Sequence, residues 1–296
     1  TLLDIKPDCE IAIVEMGANH IGEIKDLCTI AEPNFGIITN IGTAHIEGFG
    51  SKEGVIQTKQ EMYDFISSNG KMIFINNDDE LLKKLASSIN KFTYGKKGAD
   101  CIASLLSETP NIKLNWNHHE INSTLYGSYN FYNILLAISV GQYFKVDDEK
   151  IIAGIEAYVS TNNRSQLISI NNTDIYLDAY NANPSSMNVA IESFASNNSS
   201  KKLMILGDML ELGEVSSEEH QTIIDKANNM RIDSFFVGKE FNLANEKHQF
   251  DYFKNASEVI DWINKNEIRD YDSILIKGSR GIRLEQVAEH IQKKLH

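Results

Sequence analysis

The chain has 296 residues, of which 42% are hydrophobic and 23% are charged, with a formal net charge of −13. This length suits about two domains of roughly 150 residues each, and the hydrophobic content is ample for packed cores. The acidic excess argues against a nucleic-acid-binding or anionic-membrane surface, although a local basic pocket remains compatible with phosphate binding. Three cysteines without a C-x-x-C spacing indicate neither a disulfide framework nor a zinc knuckle.

The sequence contains neither a membrane-spanning pattern nor a targeting signal. No apolar run approaches the roughly 18 residues of a transmembrane helix. The first ten residues, TLLDIKPDCE, lack the basic and apolar regions of a signal peptide. We therefore predict a cytosolic protein.

The first predicted strand, Ile11 to Val14, ends at Glu15. The stretch from Ile37 to Glu61 then reads as a buried parallel strand, a polar turn that carries His45, and a helix that carries Lys59. Open α/β sheets bind ligands at the carboxyl ends of their strands, so Glu15 and His45 could converge on one magnesium ion. Each residue also has an ordinary interpretation. Glu15 and His45 fit simple turn residues, and Lys59 fits the solvent-exposed face of an amphipathic helix.

The rest of the first half predicts further α/β elements and an antiparallel appendage. Residues 130 and 133 lie three apart on the first turn of one helix, and their amides can both donate and accept, as adenine recognition requires. Asn130 also fits a simple helix cap. The predicted elements are a strand at Lys71 to Asn76, a helix at Glu80 to Ile89, antiparallel strands within Cys101 to Leu125, and helices at Asn130 to Tyr143 and Asp148 to Tyr158.

A polar linker, Ser160 to Asn163, precedes Arg164 and a second series of alternating strands and helices, which predicts a parallel α/β domain. The predicted strands are Ile175 to Leu177, Leu203 to Leu206, Ser234 to Val237 and Ile274 to Ile276. The predicted helices are Ser185 to Phe194, Ser217 to Met230, Ala256 to Asn266 and Arg283 to Lys294.

Polar residues follow two strands of this second domain. Asp178 ends the first strand, and Asn181 and Asn183 occupy the turn before the next helix. Ser279 and Arg280 are predicted to begin a helix after the last strand, where backbone N–H groups and a guanidinium could bind an anion. An ordinary strand-to-helix turn is the alternative at this position.

Several segments, taken in order, resemble the Mur ligase family. Any one of them alone is a weak signal, whereas the ordered set is a strong one. The resemblance covers nearly the whole chain and is greatest to the members that join D-alanyl-D-alanine to UDP-N-acetylmuramoyl-tripeptide. The segments are Glu15 to Ile24 (EMGANHIGEI), Ile37 to Glu61, Gly127 to Asn133 (GSYNFYN), Asn162 to Ser165 (NNRS), Asp178 to Ser186 (DAYNANPSS), Leu206 to Gly213 (LGDMLELG) and Lys277 to Gly281 (KGSRG).

The resemblance implies an ATP-dependent amide ligase of peptidoglycan precursor synthesis that works through an acyl phosphate. Three groups would hold magnesium, namely Glu15, His45 and a carbamylated Lys59, and these residues with Arg164 would be catalytic. The nucleotide would contact Asn130, Asn133, Arg164 and Asp178. The peptide substrates would contact Asn181, Asn183, Lys277, Ser279 and Arg280.

The implied fold is a central ATPase domain, residues 1–161, with a mostly parallel sheet and an antiparallel appendage, followed by a Rossmann-like α/β domain, residues 162–296. Family members carry a glycine-rich phosphate loop and a UDP-sugar domain before the matched region. No G-x-x-x-x-G-K-[ST] occurs in these 296 residues. We therefore expect a chain truncated at its N-terminus, monomeric, and inactive by itself.

Two alternatives remain open. One is a different ligase of the same superfamily, such as a diaminopimelate- or lysine-adding enzyme or a folylpolyglutamate synthase. The other is a nucleotide- or peptide-binding module without catalysis, which the missing phosphate loop favours. The run from Leu206 to Gly213 and the Y-N-A-N-P motif favour the D-alanyl-D-alanine-adding branch.

Overall fold

A computed structural model describes the chain except residues 1, 2, 4, 43–45 and 245–250, and describes residues 46 and 47 by their backbone alone. The described residues form two six-stranded sheets, one in each half of the chain. No helix among them is long and apolar enough to cross a membrane.

The first sheet has its strands in sequence order, and it is parallel from β1 to β4 and antiparallel from β4 to β6. This arrangement confirms the predicted parallel sheet with an antiparallel appendage. The strands are β1 Phe35–Ile37, β2 Met72–Asn76, β3 Lys91–Gly95, β4 Cys101–Ser107, β5 Lys113–Trp116 and β6 His119–Asn122; the helices are α1 Glu23–Ala31, α2 Ile46–Phe49, α3 Lys52–Asn69, α4 Glu80–Leu85, α5 Asn130–Tyr143 and α6 Asp148–Ala157.

Helices cover both faces of this first sheet. All five residues of β2 are buried, as expected for a central parallel strand with a covered face on each side. Phe74 packs in the cluster that contains the apolar face of α5, whereas Ile73 and Ile75 pack with Tyr63 of α3. Side chains alternate between the two faces of a strand, so one strand joins two cores.

The second sheet has the order β11-β10-β9-β12-β8-β7, with β7 antiparallel to β8 and the other pairs parallel. This is the predicted second α/β domain. The strands are β7 Gln166–Ile170, β8 Thr173–Asp178, β9 Lys202–Gly207, β10 Asp233–Val237, β11 Asp251–Phe253 and β12 Ser273–Lys277; the helices are α7 Pro184–Ala195, α8 Ser216–Met230, α9 Lys239–Ala244, α10 Ala256–Lys265 and α11 Glu285–Leu295.

An aromatic side chain joins the two halves. Tyr126, just before α5, packs in the same apolar cluster as Met187 and Ile191 of α7. Its ring lies edge-on to that of Tyr176 on β8, with a centroid distance of 4.9 Å. The start of α5 is therefore fixed against the core of the second half, and this contact determines one wall of the cleft between them.

Three predicted elements of the first half differ from the structure. Residues Ile11 to Val14 form no strand, and Ile13 is 87% exposed, because no neighbouring strand pairs with this segment in the described part of the chain. The strand expected at the start of Ile37 to Glu61 lies earlier, at Phe35–Ile37, where it pairs with β2. Helix α4 also ends at Leu85, four residues before the predicted end, ahead of the weak helix formers Ser87 and Ser88.

Candidate functional site

A cleft of about 710 Å³ lies between the two halves of the chain. Residues from α5, from the linker, and from the carboxyl ends of β8 and β12 line it. Open α/β sheets bind ligands at this end of their strands. Seven of the predicted site residues line this cleft, namely Asn130, Asn133, Arg164, Asp178, Asn181, Asn183 and Lys277.

A second cleft has a similar volume of about 720 Å³. It lies at the opposite end of the second sheet, where Lys202 and Asp233 begin β9 and β10. None of the predicted site residues lines it. Volume does not distinguish the two clefts, whereas position does, and the first cleft is therefore the candidate site.

A buried ion pair forms the floor of the candidate site. Asp178 and Lys277 end the neighbouring strands β8 and β12 and lie opposite each other in the sheet register. The ammonium of Lys277, whose side chain is 1% exposed, donates to Asp178 Oδ2 over 2.6 Å and to the carbonyl oxygen of Asn181 over 3.3 Å. Lys277 therefore neutralises and orients the carboxylate, a role different from the substrate contact predicted for it.

Asn130 and Asn133 have different roles in the site. Asn130 is 5% exposed, and its Nδ2 donates to the carbonyl oxygen of Tyr126 over 2.7 Å. Its Oδ1 accepts from Asn133 Nδ2 over 3.0 Å. Both ends of the Asn130 amide thus bind protein, and they fix the orientation of Asn133. The Oδ1 of Asn133 remains available to accept from a ligand in the cleft, and its second N–H remains available to donate.

The linker that carries Arg164 is tied to the strand end that carries Asp178. The backbone N–H of Ala179 donates to the carbonyl oxygen of Asn163 over 2.9 Å, and Ser160 Oγ donates to the carbonyl oxygen of Arg164. Ser165 has a φ of +43°, in the left-handed region that non-glycine residues rarely adopt. Its hydroxyl lies 2.9 Å from the hydroxyl of Tyr129, which holds this conformation from the first half of the chain.

The two turn asparagines offer donors to the cleft. The Oδ1 of Asn181 accepts from the backbone N–H of Ala182, and the Oδ1 of Asn183 caps α7 by accepting from Ser186 N. Since both carbonyl oxygens are occupied, the amide nitrogens are the groups left for a ligand. They suit an acceptor such as a carboxylate, a phosphate or a peptide carbonyl.

The K-G-S-R segment differs from its prediction. The residues Arg280–Ile282 form a 3₁₀ turn, and α11 begins only at Glu285. Ser279 is buried, and its hydroxyl accepts from Leu210 N over 3.0 Å and donates to the carbonyl oxygen of Ala182. Because these bonds use both functions of its hydroxyl, Ser279 stabilises the turn and is not available as the predicted substrate contact.

Tyr180 is a site residue that the sequence did not predict. It lines the cleft, and the guanidinium carbon of Arg164 lies 3.8 Å from the centre of its ring. The guanidinium carbon of Arg280 lies 5.7 Å from the same ring centre. The position of Tyr180 between Asp178 and Asn181 was the available signal. An aromatic residue in a turn carries no specific chemistry from sequence alone.

Of the predicted magnesium ligands, the two that the structure describes, Glu15 and Lys59, do not line this cleft. His45 falls outside the described residues. Glu15 is exposed, and Lys59 lies on α3, where burial lowers its pKa. Among the described residues, no three His, Cys, Asp or Glu side chains converge as a metal site.

The segments around these residues are nevertheless close together. The carboxylate of Glu61, two residues after Lys59 on α3, accepts from Gly22 N over 2.7 Å and from Lys25 N over 3.0 Å. Gly48 on α2 lies so close to the backbone of Asn19 that a Cβ at this position would be only 2.2 Å from the carbonyl oxygen of Asn19. The segment after Glu15 therefore packs on helices α2 and α3.

The Leu206 to Gly213 segment has a structural role. Asp208 is buried, and it accepts from the first backbone N–H groups of α9, those of Glu240 and Phe241, over 2.9 Å each. His220 Nδ1 donates to the carbonyl oxygen of Ser216, and its Nε2 accepts from Met209 N over 3.0 Å. This tautomer is neutral, and burial lowers the pKa of His220.

Comparison with known proteins agrees with this geometry. The Mur ligase middle domain profile matches residues 1–141, and the Mur ligase, glutamate ligase domain profile matches residues 163–280. The UDP-N-acetylmuramoyl-tripeptide–D-alanyl-D-alanine ligase of Bacillus subtilis (strain 168) is 31% identical over 98% of this chain and 66% of its own length. The corresponding ligase of Buchnera aphidicola subsp. Baizongia pistaciae is 33% identical over 100% of this chain and 67% of its own length.

A solved structure leads to the same family. The crystal structure of MurF from Acinetobacter baumannii superposes with a TM-score of 0.84 and 28% identity, over 99% of this chain and 67% of that one. The chain thus spans about two thirds of the length of these relatives. From the two matched domains and from relatives similar along its whole length, we conclude that this chain belongs to the Mur ligase family.

Proposed function

We propose that the chain carries out the nucleotide and acyl-transfer part of an ATP-dependent ligase that joins D-alanyl-D-alanine to UDP-N-acetylmuramoyl-tripeptide. The observation that supports this most directly is the cleft at the carboxyl ends of β8 and β12. It gathers an amide for a nucleobase, a carboxylate for a ribose and a guanidinium for phosphate from three separate segments, in Asn133, Asp178 and Arg164.

The reaction requires a carboxylate to approach a triphosphate. A carboxylate oxygen of the tripeptide attacks the γ-phosphorus, and ADP leaves, which produces an acyl phosphate. The amine of the dipeptide then attacks the acyl carbon, loses a proton and displaces phosphate. The first step brings negative groups together, and the second develops negative charge on the acyl oxygen and the departing phosphate, so positive charge fixed in the cleft is the main contribution that the protein can make.

The residues of this chain have distinct parts in that reaction. Asn133, oriented by Asn130, binds the base, and Asp178, held by Lys277, accepts from the ribose hydroxyls. Arg164 lies at the mouth of the cleft, where a guanidinium can bind phosphoryl oxygens in a bidentate manner.

The donor amides of Asn181 and Asn183, together with Arg280, are the groups that we assign to the peptide substrates, with Arg280 at the carboxylate that receives the phosphoryl group and therefore beside the phosphate bound by Arg164. These groups are donors and positive charges, and the acceptors of the peptide substrates are carboxylates and peptide carbonyls. Lys277 and Ser279, predicted as substrate contacts, act through Asp178 and through the turn.

We assign magnesium to Glu15, His45 and a carbamate on Lys59. An ammonium is a poor ligand for a hard cation, whereas a carbamate supplies anionic oxygens of the kind that magnesium prefers. Carbamate formation requires the neutral amine, and the lowered pKa of Lys59 increases the neutral fraction. When bound, the metal neutralises charge on the triphosphate and the carboxylate.

Two other functions are compatible with the family, and one experiment separates them. Binding of ATP and magnesium is measured by calorimetry on the 296-residue chain and on a longer form that includes a phosphate loop. The release of ADP by the longer form is then measured with each acceptor. We expect release that depends on D-alanyl-D-alanine. Release with diaminopimelate, lysine or glutamate would indicate another ligase of the superfamily, and binding without release would indicate a non-catalytic module.

Three further predictions accompany this function. We propose a domain boundary between residues 161 and 162, which falls in the linker before β7. A monomeric state and a cytosolic location, both expected from the sequence, remain predictions. Sedimentation of the purified chain tests the first of these two, and fractionation of cells tests the second.

A further inference from the structure

Two arginines from distant parts of the chain meet at one aromatic ring. Arg164 comes from the linker and Arg280 from the turn after β12, whereas Tyr180 lies in the turn after β8. Both guanidinium carbons lie within the distance of about 6 Å at which a cation is attracted by the face of an aromatic ring.

The two positive charges are not neutralised by the protein. In the part of the chain that the structure describes, neither guanidinium forms an ion pair with a carboxylate. Like charges brought close together repel each other, so an arrangement of this kind favours a bound anion.

The backbone on both sides of Tyr180 is held in place. The residue before it, Ala179, donates its N–H to Asn163, the residue before Arg164, over 2.9 Å. Asp178, one residue earlier, is fixed by Lys277, and Asn183 caps α7 three residues later. A single hydrogen bond therefore sets the backbone of Arg164 against the backbone of Tyr180, and the Cα of Tyr180 lies between fixed points.

We propose that Tyr180 is a positioning residue that holds the guanidinium groups of Arg164 and Arg280 against one ring, so that they form a single site for a phosphate-bearing anion. An arginine side chain is long and loses considerable rotational freedom when it binds a ligand. Stacking on a fixed ring removes part of that freedom before the anion arrives, and it places planar donors at the mouth of the cleft. The identity of the anion rests on the proposed function, whereas the geometry of the two arginines and the ring is independent of it.

The kinetic test compares Tyr180→Leu with Tyr180→Phe in a form of the enzyme that turns over ATP. The leucine removes the ring, whereas the phenylalanine keeps it and removes only the hydroxyl. We expect Tyr180→Leu to lower kcat/KM for ATP about fivefold, equivalent to about 1 kcal/mol, and Tyr180→Phe to restore most of that loss. Tyr252→Leu, on β11 and away from the cleft, is the matched control for loss of a tyrosine.

A second measurement uses the 296-residue chain and requires no ligase activity. The side-chain N–H signals of Arg164 and Arg280 are followed by nuclear magnetic resonance during titration with tripolyphosphate, and are assigned by replacing each arginine with lysine. We expect both signals to shift with one shared Kd in the wild type and in Tyr180→Phe. In Tyr180→Leu we expect weaker binding and different apparent constants for the two signals.

Each outcome decides between the possibilities. Equal losses in the leucine and phenylalanine variants, or a leucine variant no worse than the Tyr252 control, would overturn the positioning role. Unchanged titrations in Tyr180→Leu would overturn it as well, whatever the reaction is. Coupled titrations of the 296-residue chain, together with no ligation by the longer form that includes a phosphate loop, would preserve the anion site and count against the proposed ligase function.

Discussion

Replacing Lys277 by methionine tests whether the buried ion pair fixes the floor of the cleft. The ammonium is 2.6 Å from Asp178 Oδ2, with side-chain exposures of 1% for the lysine and 14% for the aspartate. Methionine has a similar length but no charge, so the carboxylate keeps its burial and loses its counter-charge. The nearest remaining donor is the backbone N–H of Ser165, at 3.5 Å from Oδ1.

The expected cost follows from this geometry. Removing one partner of a buried pair typically costs about 3–5 kcal/mol, because the other charge is left without compensation. Asp178 retains some access to water in the cleft, which reduces the penalty, so we expect Lys277→Met to lower the free energy of unfolding by about 2–3 kcal/mol. Adding Asp178→Asn removes the stranded charge and should recover a large part of that loss.

Urea unfolding can be followed in the second half of the chain alone. The chain has two tryptophans, Trp116 on β5 and Trp262 on α10. In a Trp116→Phe background the remaining indole, 4.6 Å from the ring of Phe235, reports on the second sheet. This separation matters because two domains need not unfold in one step.

The matched control is Lys150→Met. Lys150 forms an exposed ion pair of 2.8 Å with Asp147, and exposed pairs contribute little to stability. If Lys277→Met destabilised the protein no more than this control does, the pair would not hold the floor of the site, and the assignment of Lys277 as a positioning residue would be wrong.

The remaining predictions concern other parts of the molecule. In a form that turns over ATP, Lys59→Ala should lower turnover at least about a hundredfold, and added acetate or formate should restore part of it; near-normal turnover without additive would exclude the carbamate. Asn133→Ala should raise KM for ATP through loss of direct contact. Asn130→Ala should raise KM for ATP and also lower the urea midpoint of unfolding, because Asn130 bonds to the Tyr126 backbone and Asn133 does not. The same stability loss in both variants would contradict the division of roles. Burial lowers the pKa of His220, so the unfolded chain takes up that proton first, and the unfolding free energy should fall as the pH drops below about 6.5, with a slope of at most about 1.4 kcal/mol per pH unit. Burial raises the pKa of Asp208, whose contribution has the opposite sign, so the midpoints are measured in an Asp208→Asn background; urea midpoints that stay constant there from pH 7.5 to 5.5 would contradict the neutral histidine.

The parallel strands of the second half were the most predictable part of the fold. Runs such as Ile274 to Ile276 and Leu203 to Leu206 are apolar on both faces, which only a covered parallel strand requires. The same reasoning failed for Ile11 to Val14. Those residues have the composition of a strand, but a strand is stabilised by its neighbours, and composition alone does not provide one.

Three strands were missed. Strand β3 lies inside the first sheet, but its first three residues, from Lys91 to Thr93, are only half-buried, which hides its pattern, whereas β7 and β11 lie at the edges of the second sheet. Edge strands are exposed on one side and carry polar side chains, so their pattern resembles that of a loop. Hydrophobic periodicity identifies the elements that are buried, and it is weakest at the borders of a sheet.

For the candidate site, the sequence indicated which segments meet but not which atoms remain available. Asn130 and Asn133 looked equivalent, and only the hydrogen bonds show that one orients the other. Ser279 looked like part of an anion site, yet its hydroxyl is used within the protein. A polar side chain near a strand end satisfies a backbone group as readily as it binds a ligand, and the choice depends on contacts between distant residues.

The pairing of Lys277 with Asp178 shows how such a choice arises in this fold. The two residues are 99 positions apart, but β8 and β12 are neighbours in register, so their last residues lie side by side. The side chain of Lys277 is only 1% exposed, so its charge is compensated by the protein, and among the described residues it pairs with the carboxylate of Asp178. That constraint turns the carboxylate toward the cleft and fixes the turn from Ala179 to Asn183, and with it Tyr180. The register of two buried strands therefore determines where the two arginines can meet.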